Sequence, residues 1–66
     1  MPLLDVKHVG TVDVQDALSK AGYYNGTADG ILSKNTRAAI SAYQRDKDLP
    51  VTGSVNPDLL HSLGLE

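Results

Sequence analysis

The chain has no cysteine, no tryptophan and no phenylalanine, and its three aromatic residues are all tyrosine. Without Cys it can form neither a disulfide framework nor a thiolate metal site. It also lacks any block of Lys and Arg, and its formal net charge is −2. A phosphate-tracking surface is therefore not expected, and nucleic acid is not an expected partner. No apolar run approaches the ~18 residues that a membrane-spanning helix needs. The opening Met1-Pro2-Leu3-Leu4-Asp5 shows neither the charged n-region nor the long apolar h-region of a signal peptide, so the expectation is either a small free-standing protein or, in preference, a module drawn from a longer chain. At 66 residues there is room for one domain with a modest core that depends on efficient local packing.

The most informative stretch runs from Gly22 to Gln44, and it opens Gly-Tyr-Tyr-Asn-Gly-Thr-Ala-Asp-Gly. Asn25-Gly26 and Asp29-Gly30 are turn dipeptides, with Gly26 and Gly30 free to take positive φ. They lie too close together for a hairpin strand, so a compact loop is expected, with the Asp29 carboxylate accepting from backbone amides just after it. Ile31 and Leu32 are expected to dip into the core. Upstream, residues 1–10 read as an extended arm, with His8 a solvated polar side chain.

Three helices follow from periodicity and caps. The first is expected from about Val12 or Asp13 to Ala21, with Thr11 or Asp13 as N-cap. Val14, Ala17, Leu18 and Ala21 form one apolar stripe, Gln15, Asp16, Ser19 and Lys20 take the other side, and Gly22 is the stop. The second runs from Lys34 to about Lys47 behind an N-cap at Ser33, with Thr36, Ala39, Ile40 and Tyr43 facing inward. Asp48-Leu49-Pro50 ends it, because Pro50 biases Leu49 away from helical geometry. The third runs from Pro57 to about Leu63, with Asn56 as N-cap, Pro57 at the first helical position and Gly64 as stop. Leu59, Leu60 and Leu63 face inward.

The chain also echoes itself. Gly30 falls on Gly53, Leu32 on Val55, Ser33 on Asn56 and Ile40 on Leu63. A second alignment sets Val14 on Ile40 and Tyr23 on Leu49. A helix that cannot bury its stripe alone finds the stripe of its copy. The expected fold is all-α: a compact three-helix domain over residues 11–65, with a helix-turn-helix-like repeat and two short extended Gly-turn segments that pair briefly as strands.

Catalytic patterns are missing. There is no Gly-x-Ser-x-Gly turn and no His-Glu-x-x-His helix, and His8 and His61 lie far apart. Asp13, Asp16 and Asp58 have ready roles at helix N-termini. No catalytic residue, cofactor or metal is expected.

Val14-Gln15, Leu18, Gly22-Tyr23-Tyr24, Gly26, Asp29-Gly30, Thr36, Ala39-Ile40, Tyr43-Gln44, Leu49 and Gly53 stand in the order and spacing of a known signature. By these residues the chain resembles the peptidoglycan-binding domain family, a small three-helix module found beside bacterial cell-wall hydrolases. Leu32 replaces a usual Phe, Asp48 a usual Gly, and Thr52 a usual Asp. The resemblance implies a non-catalytic, monomeric binding module that recognises a peptidoglycan glycan or stem peptide. It would tether an adjoining hydrolase to its substrate in the periplasm or cell wall. A regulatory module packing against a neighbouring catalytic domain is the alternative. The expected ligand contacts are Tyr24, Asn25, Thr27, Asn35 and Arg37: an exposed Tyr ring to stack on a sugar, amides to read hydroxyls, and a guanidinium for a carboxylate. Tyr23 and Tyr43 are expected in the core, and Gln44 as a structural hydrogen-bonder.

Overall fold

The computed structural model describes residues Gly10–Leu65, and the expected arm, His8 included, lies outside them apart from Gly10. Three helices follow in order: α1 (Thr11–Lys20), α2 (Lys34–Asp46) and α3 (Pro57–Ser62). Among the described residues there is no strand, so the two Gly-turn segments do not pair.

The first helix begins earlier than its side chains imply. Its N-cap is Gly10, and Thr11 is already helical. Asp13 serves from inside, its carboxylate accepting the Gly10 N–H at 3.0 Å. This satisfies a donor the helix leaves orphaned and places negative charge at the positive end of the dipole. The other two starts are as expected. Ser33 Oγ faces the Thr36 N–H at 3.5 Å, and Asn56 Oδ1 accepts from Leu59 N at 2.9 Å.

All three helices end in the same way. The N–H groups of Tyr23, Leu49 and Leu65 reach back five residues to the carbonyls of Leu18, Gln44 and Leu60. The residues before them, Gly22, Asp48 and Gly64, have φ of 89°, 60° and 77° and donate to Ser19, Arg45 and His61. Each is a Schellman stop, in which a left-handed residue lets two orphan carbonyls be paired. Tyr23, Leu49 and Leu65 then fold back against the core. The echo between the first two helices therefore extends to their ends, with Leu18, Gly22 and Tyr23 falling on Gln44, Asp48 and Leu49.

Asp48 is the one non-glycine described residue with positive φ. A Cβ in that region costs roughly 1–2 kcal/mol, although Asp tolerates it better than most. Asp48→Gly is therefore expected to stabilise the domain by about 0.5–1 kcal/mol. Urea denaturation followed by far-UV circular dichroism checks this. A loss of stability on Asp48→Gly would show that the aspartate side chain contributes more than its backbone costs.

The core draws on every helix. Val14 and Leu18 of α1, Ile40 of α2 and Leu59 of α3 are wholly inaccessible to solvent, with Ala39, Tyr43 and Tyr24 nearly so. Each fully buried large side chain contributes roughly 1.5–3 kcal/mol. Leu32, Leu60 and Leu63 pack at the margin of this cluster. Ile31 does not join it, being 60% exposed. The stripe of α1 is also narrower than the sequence implies, since Ala21 is exposed.

Candidate functional site

Two buried glutamines hold the two glycine turns. Gln15 is fully inaccessible, and it does not lie on the polar side of α1. Its Oε1 accepts the Gly30 N–H at 2.8 Å. Its Nε2 sits within 2.9–3.3 Å of Thr36 Oγ1, the Ile31 carbonyl, Asp29 Oδ1 and Tyr24 Oη. The neighbours fix the amide's orientation, since Gly30 requires an acceptor and the four oxygens require a donor. Direction continues outward from there: Tyr24 Oη donates to the Thr27 carbonyl at 2.9 Å, and Thr36 Oγ1 to the Ile31 carbonyl at 3.2 Å.

The second glutamine repeats the arrangement. Gln44 Oε1 accepts from the amides of Thr52 and Gly53 at 2.9 and 3.0 Å, while Nε2 donates to Thr52 Oγ1 at 3.0 Å. Gly30 and Gly53 both have positive φ, 79° and 67°. A Cβ at Gly53 would also stand 3.1 Å from Ser41 Oγ on α2. Gln44 is thus the structural hydrogen-bonder expected, and Gln15 is its counterpart. No buried polar side-chain atom among the described residues lacks a partner.

The Gln15 network shapes the loop. Tyr24 is only 6% exposed, which corrects the expectation of a ring free to stack on a ligand. Gly26 is needed for close approach and not for positive φ: a Cβ there would lie 2.5 Å from Tyr24 Oη. Asp29 forms the expected turn, its Oδ1 accepting from Ile31 N at 2.9 Å. That amide, with Gln15 adding to it, holds the Asp29 carboxyl below the usual carboxylate range. Tyr23 stays half-exposed at the rim. Its hydroxyl donates to Asp46 Oδ2 at 2.6 Å, and this bond raises the phenol above its ordinary value. Its ring meets Tyr43 edge-on at 5.3 Å between centroids. Tyr43 is buried and its hydroxyl bonds Ser62 Oγ at 2.8 Å, joining α2 to α3.

Between the loop and α2 lies an open groove of about 370 Å³. Tyr23, Tyr24, Asn25 and Gly26 form one wall, and Asn35, Ala38, Ala39 and Ala42 form the other. The small alanines leave the space, and the two asparagines are exposed, their side-chain amides making no hydrogen bond to another described residue. Three of the five expected contact residues, Tyr24, Asn25 and Asn35, therefore line one groove. Thr27 flanks it on the loop, exposed, with its carbonyl engaged by Tyr24. Arg37 is not brought to the groove. Its guanidinium reaches the Gly53 carbonyl at 3.5 Å beside the second turn.

Three helices, two glutamine-clasped turns and an open amide-lined groove define the class of small three-helix domains. The chain is a member of the peptidoglycan binding domain family, whose match covers residues 7–63. The localization factor PodJL of Caulobacter vibrioides, in two strains, is 51% identical over 51 residues. That alignment covers 77% of this chain and 5% of PodJL, so the chain spans a small part of the relatives it matches. No solved structure gives a significant match.

Proposed function

We propose that this domain is a non-catalytic module that binds peptidoglycan through the groove between the Tyr23–Gly26 loop and α2. The observation carrying this reading is the pair Asn25 and Asn35: two amides face an open groove in a domain of this family, and neither is used by the fold. Amides so placed can exchange water for the hydroxyls and acetamido groups of a glycan, and Tyr23 supplies an apolar edge beside them. Thr27 lies at the end of the same loop. Arg37, on the side of the second turn, is a peripheral contact in this reading. One such groove binds weakly, and weak binding suffices for a tether because linkage raises effective concentration.

What is tethered follows from the rest of the parent chain. The notion of an attached hydrolase comes from the resemblance, whereas the matched relatives are localization factors. Those relatives favour a second reading of the same groove, in which wall binding positions the polypeptide that carries the domain. Both readings place the domain outside the cytoplasm, against the wall.

Titration of the labelled domain with soluble muropeptides tests the groove. Amide shifts are expected within Tyr23–Arg37, and Asn35→Ala is expected to lower retention on purified sacculi several-fold. If no amide in that stretch moves, the groove is not the binding surface.

A further inference from the structure

A second groove of about 480 Å³ lies on the other side of Tyr23. Ala21, Tyr23, Tyr43 and Leu63 contribute apolar surface to it, and Lys20 and Lys47 bring positive charge. The two grooves share one side chain, Tyr23, which stands as a ridge between them. That ridge is fixed, because Asp46 holds its hydroxyl and Tyr43 backs its ring.

The grooves differ in charge. The first presents the neutral amides of Asn25 and Asn35 and no cation. In the second, Lys47 Nζ lies 5.7 Å from the centre of the Tyr43 ring. Lys20 is paired with Asp16 at 3.4 Å in an exposed contact, which contributes little and is readily exchanged. No carboxylate pairs with Lys47 among the described residues, where Lys20–Asp16 is the sole ion pair. No acidic residue lines the groove among the described residues, and the Asp46 carboxylate accepts from the Tyr23 hydroxyl. An unpaired ammonium beside an apolar floor fits a ligand with a carboxylate on a short aliphatic body.

We infer that the Lys20–Lys47 groove is a separate subsite for a carboxylate-bearing peptide, reached by a polymer that crosses Tyr23 from the neutral groove. The inference rests on the peptidoglycan reading above and deepens it: glycan lies on the asparagine side, and the stem peptide on the lysine side. The arrangement makes the domain a reader of peptide-substituted strands over bare ones.

The test compares intact sacculi with sacculi stripped of stem peptides by an amidase. Wild type is expected to bind intact sacculi more tightly than stripped glycan. Lys20→Gln with Lys47→Gln is expected to lose about tenfold on intact sacculi and much less on stripped glycan, where amide cleavage leaves only the lactyl carboxylate on the sugar. Asn35→Ala is expected to weaken binding to both. Unchanged binding of the double lysine variant to intact sacculi overturns the subsite and leaves the asparagine groove standing. Equal losses on the two substrates also overturn it, since stripped glycan offers the subsite no peptide. If wild type binds neither substrate, the peptidoglycan reading fails and the subsite fails with it. Both lysines are exposed, and a thermal melt of the double variant confirms that it folds.

Discussion

Gln15→Leu is expected to lower the stability of the domain by about 3 kcal/mol, which is roughly 15 °C or more in Tm for a chain of this size. Leucine fills nearly the same volume, so the loss does not come from a cavity. It comes from the groups left behind. Gly30 N–H loses its acceptor, and the oxygens of Thr36, Ile31, Asp29 and Tyr24 lose the donor they share. A buried polar group left unpaired costs about 1–3 kcal/mol, and a domain this small has only about 3–10 kcal/mol in total. Urea and thermal unfolding measure the loss. A change below about 1 kcal/mol would mean that water takes the place of the amide.

Gln15→Glu sharpens the same test. The shape is kept, but a carboxylate now faces Asp29 where an amide donated at 3.2 Å. Two like charges at that separation cannot both be held comfortably, so the new Glu is expected to titrate above its unfolded value. The penalty is then present above that folded pKa and relieved as pH falls through it, so this variant gains stability on mild acidification relative to wild type. Gln15→Leu shows no such recovery.

Leu59→Ala is expected to cost about 3 kcal/mol, within the range for a large-to-small change at a fully buried site. Leu59 is the single wholly inaccessible side chain of α3, a helix of six residues. Helices shorter than about 12–15 residues do not persist alone in water, so α3 exists only because it is docked. Its remaining ties are the Tyr43–Ser62 hydrogen bond and marginal packing by Leu60 and Leu63. Hydrogen exchange should therefore show protection falling furthest at Leu60, Leu63 and Leu65, with the amides around Gln15 and Thr36 less affected. A Tm unchanged within about 2 °C would show that Ile40 and its neighbours close over the gap.

The helices were legible in the sequence because caps and stops are local. Asn56-Pro57, Ser33 and Gly22 each act within one turn, and a single chain read in order is enough to find them. The apolar faces of α2 and α3 were legible for the same reason. Gln15 was not, because a polar residue beside Val14 reads as solvent-facing until the partner loop is in place. Its position three residues before Leu18 was a usable signal, as was the recurrence of an apolar-Gln pair at Val14-Gln15 and Tyr43-Gln44. Tyr24 was misplaced through the same cause: the acceptor that draws its hydroxyl inward, the Thr27 carbonyl, is backbone and has no signature. The groove itself was half legible. Asn25 and Asn35 follow from side-chain chemistry, but the alanines that open the space between them carry no chemical signal, and nothing local in the sequence shows that Arg37 turns toward the Gly53 carbonyl and away from this groove.

The three matching helix ends bear on how fast this chain folds. Each stop is completed by hydrogen bonds that span no more than six residues. Helix lengths can therefore be set in the collapsing chain before any helix finds another. What remains is to close the Gln15 network, whose partners lie 9–21 residues away. Loops of that size form in well under a microsecond, and a topology this local belongs to the fast end of two-state folding. The chain meets its search cost in short segments.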